Sequence, residues 1–437
     1  MKKSKLLLQF AVFTASLIMM VGCGKRIGTE GTSAFNANTS DRNTEQDLRM
    51  LVPDRLFPLG AGTQDGYYYV EPGIADSLTG QIRYVDYANA VDIPLSAQIN
   101  SNHMDETDSA CLDSIIGDYR MFVYNDHLYF IRSGSYSYVN DSTLGKLARG
   151  AVYRMDLDGG NQTLVYESDG SGNLQMYAVG GKDVLYLFQR TSEAVDVIRV
   201  PENGGNTHVI ASLPLDANYQ LIGCRKNWMY FHVMGYDPDK INSLGGLGSI
   251  THTLTVLNVQ TGELNDLCDL CPDDSQYAEP YMAGTTLLYY YPNGGPQVAF
   301  CDEQGQVQST VTLVNAKAES FQQIDNPYVV GDTLFIPCWD DRQKQGYQIL
   351  VDCKTGNVSR SDICLTQEDG KDSLGAAVLA ETETDYLAVT AIGYKDAEMP
   401  LADGTTTSVQ NQVYMYSLIP KQQFTAQTPV LQTVHRQ

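Results

Sequence analysis

Aromatic rings stand beside carboxylates in four short stretches of this 437-residue chain. These stretches supply the candidate ligand-binding residues, which are Tyr136, Tyr138, Tyr236, Asp237, Asp239, Trp339, Asp340, Asp341, Arg342 and Tyr394. An aromatic ring offers a large apolar surface, and the polar groups around it orient whatever packs against it. The combination suits recognition of a carbohydrate, a peptide or a cationic protein surface.

Histidines are few, and His232 and His252 flank a single connection. If they meet, they supply a general base or a pair of metal ligands; the alternative is two ordinary histidines at the surface or at strand ends. The sequence contains no HExxH zinc helix, GxSxG nucleophile elbow, P-loop or GxGxxG fingerprint. It therefore predicts no catalytic residue and no cofactor, and favours binding over catalysis.

Cysteine spacing gives one motif, the CxxC of Cys268 and Cys271. A zinc ribbon needs a second pair at matching spacing, and the sequence has none, so no zinc site is predicted. A redox pair, a local disulfide or two structural thiols remain open for this motif.

A calcium-loop pattern is the other metal-like signal. Asp156, Asp158, Gly160 and Glu167 fall at positions 1, 3, 5 and 12 of the loop template. The template requires glycine at position 6, where this chain has Asn161. The segment is therefore interpreted as a hairpin turn, and no metal is predicted there.

The elements that position these residues form a repeat, seen most clearly in Met121–Glu167. This segment contains four short runs rich in Tyr, Val, Phe and Leu, which favour strands. Asn125 and Asp126 separate the first two runs, and such residues are typical of tight hairpin turns. A four-stranded antiparallel unit that recurs along a chain predicts the blades of a β-propeller.

The second strand of each unit has a signature, a turn residue followed by one variable residue and an apolar or aromatic pair. It begins at Asp65, Asp126, Asp183, Asn227, Thr286, Asp332 and Asp385. No sustained helical period competes with it. We therefore predict an all-β fold: a single propeller over residues 50–437, with four-stranded antiparallel blades, seven in number, with six as the alternative.

Antiparallel strand order sorts the connections between two faces of such a fold. First-to-second and third-to-fourth turns share one face, the short-turn face; second-to-third and fourth-to-first connections share the other, the long-connection face. The longest connections, Ile99–Ile116, Arg132–Arg149, His232–His252 and Gly393–Asn411, all belong to the long-connection face. Because loops on a rigid scaffold carry recognition, we predict the ligand site there.

The N-terminus has the pattern of an export signal. Lys2, Lys3 and Lys5 precede an apolar run, Leu6–Val21, which is shorter than the ~20 apolar residues that a membrane-spanning anchor needs. Residues 1–22 are thus predicted to be a signal peptide. The sequence around Cys23 resembles a bacterial lipobox, although Met20 stands where Leu is usual. The resemblance implies that the Cys23 thiol carries a diacylglyceryl group and begins the mature chain. Polar residues 23–49 are predicted to form a disordered tether.

The formal net charge of −23 excludes some partners. Nucleic acid and anionic membrane surfaces repel an acidic protein, so nucleic acid is not predicted as a partner. Cationic ligands or metal ions are favoured by the same field. The alternative is an acidic surface that serves only solubility.

The strand-and-turn units NDHLYFI…VYRMDLDGGNQTLVYE and DVLYLFQR…VIRVPENGGNTHVIA resemble blades of bacterial surface lipoproteins with a TolB-like or DUF5050-like β-propeller. The resemblance implies a lipid-anchored, extracytoplasmic propeller and supplies no catalytic residues. We expect an envelope-anchored binding or assembly module that recognises a glycan, a peptide or a protein. The alternative is a surface hydrolase or lyase acting on envelope or dietary glycans.

Replacing Cys23 by Ala should abolish lipidation, because no other thiol occupies the lipobox position. The variant should move from the membrane fraction to the soluble fraction, as measured by detergent phase partitioning. Cys111→Ala is the matched control and should partition as the wild type does. Unchanged partitioning of Cys23→Ala would show that the lipobox prediction is wrong.

Overall fold

The computed structural model describes residues 47–52, 60–72, 80–98, 110–112, 119–134, 149–241, 247–272, 277–293, 295–313, 321–367, 374–400 and 406–437. These ranges lie in one compact unit, Glu45–Gln437. Within them, strands account for nearly all regular structure, with one turn of 3-10 helix at Lys421–Gln423. No helix in these ranges has the length and apolar character that crossing a membrane requires.

The strands are named in chain order. They are β1 (Arg49–Val52), β2 (Ala61–Gly62), β3 (Gly66–Pro72), β4 (Gly80–Asp86), β5 (Val91–Pro94), β6 (Cys111–Leu112), β7 (Tyr119–Tyr124), β8 (His127–Arg132), β9 (Ala151–Asp156), β10 (Thr163–Glu167), β11 (Asn173–Gly181), β12 (Val184–Arg190), β13 (Ala194–Pro201), β14 (His208–Pro214), β15 (Asn218–Arg225), β16 (Trp228–Ile241), β17 (Leu247–Asn258), β18 (Leu264–Asp269), β19 (Glu279–Ala283), β20 (Thr286–Tyr291), β21 (Gln297–Cys301), β22 (Val307–Thr312), β23 (Tyr328–Val330), β24 (Thr333–Asp340), β25 (Gln345–Asp352), β26 (Val358–Ser361), β27 (Thr366–Gln367), β28 (Ala377–Glu381), β29 (Asp385–Pro400), β30 (Thr406–Pro420), β31 (Gln432–Thr433) and β32 (His435–Arg436).

These strands form a seven-bladed β-propeller. From the axis outward, the blades are I (β2–β5), II (β7–β10), III (β11–β14), IV (β15–β18), V (β19–β22), VI (β23–β26) and VII (β28–β31). Each blade has four antiparallel strands, and the innermost strands of neighbouring blades contact one another, with β28 against β2; between blades III and IV, β1 makes the contact to β15. The seven-bladed prediction is confirmed, and the six-bladed alternative is wrong.

Each interface between neighbouring blades has its own apolar core, so seven cores close the ring. The second strand of a blade is buried on both faces. In blade II, Leu128 packs toward blade I and Tyr129 toward blade III, and both are fully buried. Double burial explains why these strands read as continuous apolar runs without alternation.

The sequence signature identifies the second strand of every blade, but in blade V the predicted register is wrong by one residue. Ala283 pairs with Thr286 across the blade V turn, just as Arg225 pairs with Trp228 in blade IV. Thr286 is therefore already a strand residue, one position later than the signature implies. As a result Tyr289 packs toward blade IV, whereas the equivalent aromatic residue in blades I to IV packs toward the following blade.

Turns on the short-turn face follow the chemistry of their residues. Asn125 and Asp126 both have positive φ angles, 47° and 59°, as a type I′ hairpin turn demands. In the segment that resembles a calcium loop, the Asp156 carboxylate accepts a hydrogen bond from Asn161 Nδ2 at 2.7 Å. Gly160 N donates to Asp158 Oδ1 at 2.8 Å. These carboxylates hold the predicted hairpin turn.

Two connections expected to be loops are extended hairpins instead. Strands β16 and β17 stay paired out to Ile241 and Leu247, and β29 and β30 stay paired out to Pro400 and Thr406. Antiparallel pairing can continue past the blade because each hairpin supplies its own backbone hydrogen bonds. Most of the two other long connections, Ile99–Ile116 and Arg132–Arg149, lies outside the described residues.

The segment β1 adds a strand on the channel side of blade III. It pairs antiparallel with β11 and contacts β7 and β15, the innermost strands of the neighbouring blades. Leu48 and Val52 are buried, and Leu48 N donates to Lys226 O at 2.9 Å. Residues 47–49, part of the predicted tether, thus belong to the packed structure.

The end of the described chain joins blades VII and I. After β31 completes blade VII, β32 pairs in parallel with the outer strand β5 of blade I. Val434 between them is buried in the core shared by the two blades. Beside this strand, Arg83 Nε bonds Asp92 Oδ1 at 2.9 Å, and Arg83 Nη2 donates to Gln437 O at 3.0 Å.

Replacing Arg83 by Ala should destabilise the protein by about 3–5 kcal/mol, because it leaves the buried Asp92 carboxylate without its cation. The free energy of unfolding in urea measures this cost. Arg149→Ala is the matched control: Arg149 pairs with Glu167 at 3.4 Å in a partly exposed position and should cost about 1 kcal/mol or less. Equal losses in the two variants would contradict the structural role of Arg83.

Candidate functional site

The predicted ligand-binding residues that the structure describes lie in three connections of the long-connection face. Tyr236, Asp237 and Asp239 belong to the β16–β17 hairpin. Trp339 to Arg342 span the end of β24 and the turn after it, and Tyr394 belongs to the β29–β30 hairpin. Tyr136, Tyr138 and the lipidation residue Cys23 lie outside the described residues.

The β16–β17 hairpin presents an apolar surface to solvent. Tyr236 is 61% exposed, and Ile250, directly opposite on β17, is 60% exposed. The Tyr236 hydroxyl lies close to Gly248, which has a φ of +93° and leaves no room for a side chain. Asp237 Oδ1 accepts a hydrogen bond from Asp239 N at 2.9 Å, so Asp237 also shapes the hairpin.

The blade VI turn is tied together by its own acidic residues. Asp340 Oδ1 accepts hydrogen bonds from the backbone N–H of Gln343 at 3.1 Å and of Arg342 at 2.9 Å. These bonds, led by that from Gln343, lower the pKa of Asp340. Trp339 Nε1 donates to Asp341 Oδ1 at 3.2 Å. Asp340 and Asp341 therefore already have partners within the turn.

The β29–β30 hairpin carries a second exposed aromatic patch near its base. Tyr414 pairs with Ile392, and Tyr394 lies two residues farther along β29, so the two tyrosines share a face of the hairpin. Tyr394 is 51% exposed and Tyr414 is 40% exposed. Met415, the next residue on β30, is 45% exposed.

His232 and His252 meet at the interface of blades IV and V. His232 Nε2 lies 3.0 Å from His252 Nδ1. His232 pairs with Leu254, two residues after His252, so both imidazoles point to the same side of the sheet. His232 is buried and His252 is half-buried, with the ring of Tyr277 4.4 Å from that of His252. One nitrogen of the close pair donates and the other accepts.

Burial, followed by the charge of His252, lowers the pKa of His232 to about 4. His232 is therefore neutral at pH 7. A general base works best with a pKa near the operating pH, and a group with a pKa of about 4 is a weak base. The low pKa favours His232 as a hydrogen-bonding group over His232 as the base itself.

Sequence reasoning missed four residues of these surfaces: Ile250, Tyr277, Tyr414 and Met415. Tyr277 lies in the fourth-to-first connection between blades IV and V, so the sorting of connections by face contained a signal for it. Ile250 lies within the predicted connection His232–His252, so the same sorting contained a signal for it as well. Tyr414 and Met415 carried no such signal, because an apolar residue in a strand is ordinarily buried.

No family model and no curated protein matches this chain, so the TolB-like or DUF5050-like resemblance and the lipoprotein assignment stay predictions. Solved structures do match. The β-propeller domain of the Trilobed protease from Pyrococcus furiosus, described as having an open velcro topology, is 9% identical with a TM-score of 0.44 over 85% of this chain and 98% of that one. The likeness is one of fold alone.

Two further solved structures are similarly distant. A polysaccharide lyase of family 25, an ulvan lyase, is 11% identical with a TM-score of 0.39, over 90% of this chain and 95% of that one. A puromycin-hydrolysing peptidase from Mycobacterium tuberculosis is 10% identical with a TM-score of 0.38, over 72% of this chain and 53% of that one. At these values the matches carry no argument about the activity of this chain.

Acid should destabilise the protein through His232. An unfolded histidine has a pKa of about 6.5, so as pH falls below that value the unfolded state binds a proton that the folded state refuses until about pH 4. Above pH 6.5, protonation of His232 should therefore cost no stability. Between pH 6.5 and 4 it should lower the free energy of unfolding by up to about 3 kcal/mol. His232→Gln should remove this part of the pH dependence, as measured by urea unfolding in EDTA.

Comparing the wild type with His232→Gln at two pH values separates the effect of protonation from the effect of packing. At pH 8 His232 and the glutamine that replaces it are both neutral, so any difference in stability there is the packing cost of the substitution. If the wild type and the variant lose stability in parallel between pH 7 and 4.5, His232 is not the titrating group.

Proposed function

We propose that this protein is an envelope-anchored binding or assembly module that recognises a glycan, a peptide or a protein on its long-connection face. The observation that carries the proposal is the pair of hairpins, β16–β17 and β29–β30, which hold large apolar side chains in solvent. Exposed apolar surface costs about 25 cal/mol per Å² relative to burial, and adjacent exposed groups mark interaction sites.

The arrangement of these residues separates them from ordinary surface residues. Tyr236 and Ile250 are direct cross-strand neighbours, and Tyr394 and Tyr414 share one face of their hairpin. On the outer strands of blades II to VI, exposed aliphatic residues occur singly, as Leu164 does on β10. Val430 and Leu431 are adjacent and exposed, but they precede the short strand β31 and belong to no projecting hairpin. Single exposed residues need no functional explanation, whereas paired ones on projecting hairpins do.

The acidic residues beside the rings support a ligand that offers hydroxyl groups, backbone amides or positive charge. Asp239 follows Tyr236 on β16, and the protein as a whole is acidic. Attachment through a lipidated Cys23 would keep the propeller on the outer side of a bacterial membrane. Binding there needs no enzymatic step, which agrees with the absence of catalytic motifs from the sequence.

A second candidate is a surface hydrolase or lyase acting on glycans, which the His232, His252 and Tyr277 cluster favours. Acid–base chemistry needs side chains that exchange protons within hydrogen-bonding distance, and the two imidazoles meet that condition. Product release from a glycan array, abolished by His252→Gln while retention persists, would support the enzyme over the binding module.

Glycan and peptide arrays probed with the detergent-solubilised full-length protein test the binding module. Tyr236→Ala and Ile250→Ala should each weaken retention by about tenfold or more, because truncating a central apolar anchor typically costs 1–2 kcal/mol or more. Leu164→Ala is the matched control, an exposed aliphatic residue away from this face, and should retain wild-type binding. Binding that is lost in Asp158→Ala instead would place the ligand on the short-turn face.

A further inference from the structure

The strand β1 has a definite direction along the channel side of blade III. Arg49 pairs with Gly180, which lies next to the turn between β11 and β12. That turn joins the first and second strands of the blade, so it belongs to the short-turn face. Val52, at the other end of β1, pairs with Ala178, which lies farther from the turn. The chain therefore enters the propeller at the short-turn face and proceeds toward the long-connection face.

A contact with the next blade fixes the point of entry. Leu48 N donates a hydrogen bond to Lys226 O at 2.9 Å, and Lys226 lies in the turn between β15 and β16, also on the short-turn face. Leu48 is buried, whereas Asp47 just before it is exposed. The change from exposed to buried marks where the chain passes into the propeller. Whatever precedes Asp47 is therefore attached to the propeller at the short-turn face.

The entry point is held by two interfaces between blades. Leu48 packs in the core between blades III and IV, and Val52 packs in the core between blades II and III. Removing β1 from its place would expose both side chains and break the pairing with β11. The segment is therefore a fixed attachment, and a force on the chain before it acts on the short-turn face.

We propose that the short-turn face is the membrane-proximal face of the anchored protein and that the long-connection face points away from the bilayer. This inference rests on the lipid anchor at Cys23 in the proposed function, and it adds the direction from which a ligand arrives. A partner in the surrounding medium or on another surface fits a face in this position. The lipids of the anchoring bilayer do not.

The chain length between the anchor and the propeller makes the attachment point decisive. From Cys23 to Asp47 the chain spans at most about 80 Å when fully extended. The predicted tether, as a polar chain of this length, has a mean reach of about 25–30 Å. That reach holds the short-turn face near the lipid headgroups.

An inverted propeller would need a longer reach. Strands of seven residues, the length of β12, make a blade about 25 Å high. The β16–β17 hairpin continues from Met234, where pairing with β15 ends, to Ile241, and this adds about 20 Å. With the hairpins against the bilayer, Asp47 would lie about 45 Å from the lipid. The mean reach of the tether falls well short of that distance.

The test measures energy transfer from each face to the bilayer. The full-length lipidated protein is inserted into phosphatidylcholine vesicles that carry a fluorescent acceptor lipid. A donor fluorophore is attached through a genetically encoded azide residue, at one position at a time. Asn203 and Thr285 are exposed positions on the short-turn face, and Asp239 and Ser408 are exposed positions on the two hairpins of the long-connection face. Transfer should be severalfold stronger from the first pair, because the two faces differ in height by about 25 Å or more.

The two positions on each face lie in different blades, which separates inversion from tilt. Equal or stronger transfer from Asp239 and Ser408 overturns the proposed orientation and leaves the anchor in place. Stronger transfer from one position of each face would mean that the propeller lies on its rim, which also overturns the orientation. Circular dichroism confirms that each labelled protein has folded.

The anchor itself is tested by its own control. Cys23→Ala should be absent from the vesicles, whereas the wild type should be retained. A wild-type protein that also fails to enter the vesicles would overturn the lipid anchor and the orientation together. Failure of the orientation alone is thus distinguished from failure of the proposed anchor.

Discussion

The fold depends on the burial of each blade's second strand between two neighbouring blades. A four-stranded sheet has two apolar faces and cannot hide both by itself, so each blade gains its stability from its neighbours. Large side chains such as Tyr129 in blade II and Tyr290 in blade V are fully buried this way. Each such burial contributes roughly 1.5–3 kcal/mol, which makes ring closure the dominant constraint. β32 and Val434 reinforce the interface between the first and last blades.

The same constraint explains where the functional surfaces lie. Along β16, alternate residues from Trp228 to Tyr236 face blade V. Tyr230 is buried against that blade, His232 is buried near its upper edge, and Tyr236 extends beyond it into solvent. A single strand therefore contributes a core residue, then a member of the histidine pair, and then an exposed aromatic residue. The apolar residues that form the interface continue along the β16–β17 hairpin beyond the point where blade V covers them. The apolar surface of the hairpin is therefore exposed to solvent and accessible to a ligand.

Local patterns predicted the blades because each blade is made from a continuous stretch of chain with short turns. Asn125 and Asp126 predicted a tight turn because few residues adopt positive φ angles readily. Pairings between distant segments were beyond reach. Nothing local to β1 or β32 indicates that one enters the channel beside β11 or that the other joins β5. The predicted register of the second strand in blade V was off by one residue. Leu287 to Tyr291 are all apolar or aromatic, so nothing in the sequence marks where the strand begins.

The candidate site was predictable in kind and only partly in detail. Sequence reasoning located Tyr236 and Tyr394 because connections on one face can be sorted by strand order. It could not tell that Asp340 and Asp341 would be bonded within their own turn, since that depends on turn geometry. It also treated the β16–β17 connection as a loop, whereas strand pairing through Ile250 makes it a rigid support. Rigid support lowers the ordering cost of binding, which strengthens the case for recognition there.

Binding of the partner on the long-connection face is tested most directly by hydroxyl-radical footprinting of the full-length protein. The labelling is measured on the cells that produce the protein and again after purification. Occupation of the face predicts that Tyr236, Tyr394 and Met415 are labelled less on cells than in the purified protein, while Leu164 is labelled equally in both. Protection confined to residues of the short-turn face, such as Tyr84 and Leu264, would contradict the account.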